Sequence, residues 1–190
     1  MRRWLVLGSV ALALIVTDQA TKYMAVRDLT RLFERAEAHA FSQRVSSFYG
    51  EAGIEHLRRE PKYVLPFWRH VYTENEGAAF GILSARDPTF RLLFFGGVTL
   101  LAALFVVVMA LRLGPKNWLA HVMLGAILGG VVSNYICRAT RGYVIDFIDW
   151  HIGSPARVDF PSFNLADVGI TLGALLLLVM TVKEVLLHDT

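Results

Sequence analysis

Hydrophobic and polar positions along this chain fall into long blocks, not into the short periods of a soluble domain. Four apolar runs stand out, at approximately 4–26, 90–111, 117–137 and 165–183. A helix needs about 20 apolar residues to cross the hydrocarbon core of a bilayer. The last three runs meet that length directly. The first is strongly apolar only as far as Val16, and spans the core if Asp18 and Lys22 sit near one membrane face. The pattern predicts an all-α polytopic membrane protein with four transmembrane helices, built as a single membrane-embedded domain over residues 1–190. Arg2 and Arg3 followed by an apolar stretch also fit a cleaved signal peptide; three further spans favour an uncleaved first helix.

The first connection is long, with an insertion at approximately 30–62. Leu29 to about Ser46 reads as an amphipathic helix, because Leu32, Phe33, Ala36, Ala40 and Phe41 recur at helical spacing. Gly50 and Gly53 end that pattern. After Tyr63 the chain turns aromatic and β-branched, which predicts a small extended or hairpin element on the membrane surface. Phe67, Trp68 and Tyr72 then suit the headgroup level.

An even number of spans puts both termini on one side. Arg2, Arg3, Arg112, Lys116 and Lys183 fall on that side, and the positive-inside rule makes it cytoplasmic. The arginines of the first connection do not overturn this, because the rule loses force in long loops. The amphipathic and extended segments therefore lie on the external face.

Composition agrees: 55% of residues are hydrophobic, 18% are charged and the mean hydropathy is +0.47. The net charge of +3 is spread over loops and forms no nucleic-acid stripe. The single cysteine, Cys137, excludes an intramolecular disulfide and a CxxC pair. The histidines show no metal-ligand spacing.

Two carboxylates, Asp146 and Asp167, flank the last span on its external side. Charges at such boundaries are costly unless paired, wet or useful. Asp149 competes with Asp146, and spacing does not choose between them. Two carboxylates within hydrogen-bonding reach share a proton and titrate as a pair. One can then activate a water while the other protonates the carbonyl or the departing amine. That chemistry hydrolyses peptides without a metal, a cofactor or a covalent intermediate. The bland alternative is a salt bridge from one aspartate to Lys22, Arg138 or Arg141. The rival class is a channel or transporter, whose paths intramembrane carboxylates also line.

Other polar residues gather near the same ends. Asp18 and Lys22 are four apart and share a helix face, as an ion pair or as anchors for the site. Asn134 and Arg138 share a face at the outer end of the third span. They follow Gly125, Gly129, Gly130 and Ser133, small residues that let helices approach closely. Asn164 and Asp167 open the fourth helix, where backbone amides favour a carboxylate.

The runs TDQATK at 17–22, ENEGAAFGIL at 74–83, GGVVSNYICR at 129–138, RGYVIDFID at 141–149 and FNLAD at 163–167 are more specific as a set. In order and placement they resemble the bacterial lipoprotein signal peptidase (signal peptidase II) family. The resemblance implies a metal-independent aspartic peptidase of the cytoplasmic membrane, with its site near the external, periplasmic face. Such enzymes cleave diacylglyceryl-modified prolipoproteins just before the lipidated cysteine. By motif match the catalytic dyad falls on Asp146 and Asp167, not Asp149. Supporting or substrate-binding roles fall on Asp18, Lys22, Asn75, Gly77, Asn134, Cys137, Arg138 and Asn164. Substrate acyl chains would stay among membrane phospholipid, and the leader would lie under the element from Asn75 to Phe80, where Gly77 and Gly81 allow close backbone approach. Inhibition by globomycin-type peptides is implied, and a monomer contains every group named.

The sequence departs from the family pattern in three places. Ser133 stands for a glycine and Cys137 for an aspartate in a block that usually reads GNxxDR, and the insertion lengthens the first external loop. A thiol is a poor acceptor, which leaves Arg138 to pair more strongly with a catalytic carboxylate. Cys137 keeps open a second function, a divergent paralogue that binds or regulates lipoprotein precursors with weak peptidase activity.

Overall fold

In a computed structural model, which describes residues 2–77, 82–114, 117–152 and 158–188, four long helices follow the four apolar runs. They are α1 (Arg2–Leu29), α4 (Pro88–Arg112), α5 (Trp118–Arg141) and α6 (Leu165–His188). All four are long and apolar enough to cross a membrane. Two short helices, α2 (Leu32–Arg35) and α3 (Phe41–Gly50), lie in the first connection. Four strands follow: β1 (Lys62–Leu65), β2 (Trp68–Asn75), β3 (Val144–Ile152) and β4 (Val158–Asp159). Lys116, Gly81 and the stretch 78–80 that ends at Phe80, each given a role above, lie outside the described residues.

The helix ends have local causes. Asp87 Oδ1 accepts the amides of Thr89 at 2.8 Å and Phe90 at 3.2 Å, and Pro88 needs no partner in the first turn, so α4 starts there. Helix α5 stops at Gly142, whose φ of 84° and amide bond to Arg138 O make a left-handed cap and launch β3.

The chain divides into two compact units. One comprises Met1–Asp18, Gly96–Ser133 and Leu165–Thr190; the other comprises Gln19–Phe95 and Asn134–Asn164. In the first, Leu7, Val106, Ala110, Leu124 and Ile127 form the buried cluster. Its helices touch backbone to backbone: a β-carbon on Gly125 would lie 2.6 Å from Leu7 O, and one on Gly129 would lie 2.7 Å from Ala11 O. These are the small residues expected at a helix contact.

The second unit holds an antiparallel sheet in the order β1-β2-β3-β4. Between the pairs His70↔Ile148 and Thr73↔Asp146, two β2 residues oppose one of β3, which is a bulge. The core is Ala25, Val26, Leu29, Leu32, Phe48, Ile54, Tyr72, Tyr143, Ile145 and Phe147.

Two expectations are corrected here. The single amphipathic helix from Leu29 to about Ser46 is instead the end of α1, the turn α2 and the separate helix α3. Glu37 takes a φ of 48°, and Gln43 Oε1 accepts the amides of His39 and Ala40 to start a new helix. The chain thereby brings Phe48 beside Leu32 in the core, while Phe41 stays 73% exposed. Tyr72 is not at a surface: it is 2% exposed, and its hydroxyl meets that of Tyr143 at 3.2 Å. Phe67, at the hairpin turn, does remain exposed, as do Tyr63, Val64 and Leu65.

Candidate active site

Asp146 sits on β3 and is 2% exposed. Two amides hold its two oxygens. Asn75 Nδ2 donates to Oδ2 at 2.9 Å, and Asn164 Nδ2 donates to Oδ1 at 2.6 Å. The backbone explains both contacts. Register places Thr73 opposite Asp146 and Asn75 opposite Val144, near enough for the Asn75 side chain to reach along the strand pair. Phe163 bridges Ile148, exchanging amide and carbonyl bonds with it at 2.9 and 3.0 Å, which delivers Asn164 to the carboxylate.

A cleft of about 460 Å³ opens beside Asp146, lined by Thr73, Glu74, Asn75, Glu76, Gly77, Ser84, Pro161 and Ser162. Asn75 Oδ1 accepts the amide of Gly77 at 3.1 Å, so one side chain orients both the carboxylate and the loop beyond β2. Gly77 has no room for a side chain, since a β-carbon there would strike the backbone of Ile82. Arg138 Nη2 donates to Gly77 O at 2.8 Å, and its guanidinium lies 3.9 Å over the Phe95 ring. Arg91 pairs with Glu76 and donates to Ser84 O at 3.0 Å, tying the far side of the same loop. Lys22 is fully buried and donates to Asn134 Oδ1 at 2.7 Å.

Asp149 has another occupation: it pairs with Arg69. Its hydrogen bond pushes the Arg69 pKa up further. Burial pushes Tyr72, Tyr143 and Glu74 up, and pushes His70 down. The two tyrosines therefore stay neutral donors around Glu74.

The other unit carries Asp18, Ser133 and Asp167. Asp18 is fully buried; Oδ2 accepts from Ser133 Oγ at 2.6 Å, and Oδ1 accepts the amide of Ala166 at 2.9 Å. An aspartate of α1 thus caps α6. Asp167 lies half-buried in the first turn of α6, three residues after Asn164. Ser133, read as a departure from the family pattern, is a donor to Asp18.

Cys137 is fully buried, and its sulfur accepts from Gln19 Nε2 at 3.4 Å and from Arg141 Nη1 at 3.8 Å. The alternative of a salt bridge from Arg141 to an aspartate is not met among the described residues: its Nε donates to Phe48 O at 2.6 Å. Gln19, Ser84, Pro161 and Ser162 were not singled out from sequence. The runs TDQATK and PSFNLAD contain three of them, yet spacing gives no sign that Ser84, Pro161 and Ser162 line one cleft or that Gln19 meets Cys137.

The family model described as signal peptidase (SPase) II matches residues 10–183. A lipoprotein signal peptidase of Anaeromyxobacter sp. (strain Fw109-5) is 38% identical over 92% of this chain and 83% of its own. One from Francisella tularensis subsp. novicida (strain U112) is 34% identical over 60% of this chain and 70% of its own. Two solved bacterial membrane enzymes, each 26% identical, match with TM-scores of 0.64 and 0.62. They cover 93% and 92% of this chain and 87% and 90% of their own.

Proposed function

This chain belongs to the signal peptidase II family, and from that membership we propose that Asp146 and Asp167 form the catalytic dyad of a multi-pass bacterial membrane peptidase. The bond cut is the one just before the lipidated cysteine of a diacylglyceryl-modified prolipoprotein. The observation that carries the reading is the grip on Asp146, whose two oxygens are each held by an asparagine amide at the edge of a cleft. A carboxylate fixed in this way has one orientation to offer a reactant.

An ionised carboxylate has about four acceptor positions, so an oxygen held by one amide can still take the proton of a water. That water attacks the scissile carbonyl, and the partner carboxylate supplies the proton that the departing amine needs. A shared proton between the two keeps one acid and one base available together. Asp167 stands in the first turn of α6, where the helix amides favour negative charge. Gly77, held by Asn75 and Arg138, forms part of the cleft in which the leader would lie. In the same unit Lys22 donates to Asn134 and ties α1 to α5.

The same reading puts both termini in the cytoplasm and the cleft at the periplasmic face. The exposed Tyr63, Val64, Leu65 and Phe67 then rest the β1–β2 hairpin at the headgroup level. Acyl chains of the substrate remain in the surrounding phospholipid, globomycin-type peptides compete for the cleft, and one copy of the chain suffices.

The test is to incubate the purified protein with a diacylglyceryl-modified prolipoprotein and resolve the released leader on a gel. Release that globomycin blocks supports the peptidase. Binding without release would replace it with the paralogue that only holds or regulates lipoprotein precursors.

A further inference from the structure

Arg141 is 5% exposed, and no carboxylate partners it among the described residues. A buried guanidinium is costly unless something satisfies it. Helix α3 of the insertion does so. Arg141 Nε donates to Phe48 O at 2.6 Å, and the guanidinium lies 3.7 Å from the centre of the Phe48 ring and 5.0 Å from that of Tyr49. Nη1 reaches only the thiol of Cys137, at 3.8 Å, and Nη2 has no acceptor among the described residues. Tyr49 also donates to Gln19 Oε1 at 3.2 Å, and Gln19 donates to the same thiol.

Arg141 is the last residue of α5, and Asp146 lies just beyond it on β3, across the turn at Gly142. Whatever fixes Arg141 fixes where β3 starts. A second contact acts on the neighbouring strand. Ile54 N donates to Glu74 Oε1 at 2.7 Å; Glu74 pairs with Ile145, and its neighbour Asn75 bonds Asp146. Leu32, Phe48 and Ile54 of the insertion complete this hold by packing with Tyr143, Ile145 and Phe147.

We propose that the insertion between α1 and β1 is a brace that positions Asp146, with Arg141 as the positioning residue through which it acts. The proposal rests on the catalytic reading of Asp146. It also gives Cys137 a consequence. Position 137 is one helical turn before Arg141 on the same face. A carboxylate there would accept the Nη1 proton that the thiol matches poorly and the Nη2 protons that have no acceptor among the described residues. Here α3 holds the arginine instead.

The experiment uses the full-length purified protein with two readouts: kcat and KM for leader release, and amide exchange over residues 142–148 by mass spectrometry. Phe48→Leu keeps most of the apolar volume and loses the ring face. Arg141→Lys keeps the charge and loses the planar fork. Each is expected to lower kcat about tenfold, since small misplacements at a reacting group have effects of that order or larger. KM should stay within about twofold, and exchange in 142–148 should rise. Adding Cys137→Asp to Phe48→Leu should recover most of kcat and restore slow exchange, relative to Cys137→Asp alone. Unchanged exchange in both single variants overturns the brace, as does an equal loss with and without Cys137→Asp. Exchange needs no activity. A wild-type protein that releases no leader would therefore sink the peptidase reading while the brace is still decided.

Discussion

Asn164 Nδ2 lies 2.6 Å from Asp146 Oδ1, delivered there because Phe163 pairs with Ile148 on the strand that carries the aspartate. Asn75 holds the other oxygen from the opposite strand. A hydrogen bond to a charged group contributes about 1.5–3 kcal/mol, which corresponds to roughly 10- to 100-fold in rate where the contact matters in the transition state. Asn164→Ala and Asn75→Ala should each lower kcat for leader release by that order. Wild-type rates in both would show that the amides do not orient a catalytic group.

Asp146→Asn and Asp167→Asn should each abolish release while the protein still accumulates in membranes. Amide replacements keep size and lose the ability to exchange a proton. Processing of a prolipoprotein at the ordinary rate by either variant would remove that residue from the dyad.

Ser133→Ala deletes the 2.6 Å donor to the fully buried Asp18. Removing one hydrogen-bond partner from a buried acceptor costs about 1–3 kcal/mol, so thermal unfolding in detergent should begin at lower temperature. Equal melting curves would mean that Ser133 adds nothing to Asp18.

Gly130→Ala should destabilise although alanine is the better helix former by about 1 kcal/mol. Its β-carbon would lie 2.5 Å from Ala166 O and 2.6 Å from Ile170 Cγ1. A backbone oxygen cannot step aside, and overpacking of this kind costs about 1–3 kcal/mol. Gly8→Ala, with nothing within 4 Å, is the matched control and should be neutral or stabilising. Melting temperatures of the two variants should therefore move apart.

His70, on β2 between Trp68 and Phe147, has its pKa pushed below the ordinary 6.5 by burial. The unfolded chain then binds the proton more readily than the folded one, so stability rises with pH. The contribution is complete above pH 6.5 and is lost as pH falls through the lower folded value. Unfolding temperature followed from pH 7 down to pH 5 should fall in the wild type and fall less in His70→Gln. Parallel curves would place the sensitivity elsewhere.

The four long helices were legible because a membrane span is a property of one segment: length and apolarity suffice, whatever it packs against. The strands were only half legible. The run around Asp146 looked extended, but its partner Thr73 lies far away in sequence and leaves no local mark. Tyr72 was misread for the same reason, since Tyr143 decides its burial. The break at Glu37 escaped notice because a left-handed φ at glutamate has no compositional signal. Asp146, Asp167 and the asparagines were legible through motifs. The surroundings of Cys137 were not, because Gln19 reaches the thiol, and Phe48 and Tyr49 reach its neighbour Arg141, from segments whose spacing carries no chemistry.

Asp18 caps α6 from a helix 148 residues earlier in the chain. That distance has a meaning for biosynthesis. Helix α6 leaves the ribosome after α1, and its Ala166 amide has no protein acceptor of its own until α1 is beside it. Before then only water or headgroups can satisfy that end of the helix, which holds it near the interface. Capping by Asp18 releases it from that need, so closure of α6 onto α1 waits for both helices to be made, and a nascent chain stopped before α6 leaves Asp18 without one of its donors.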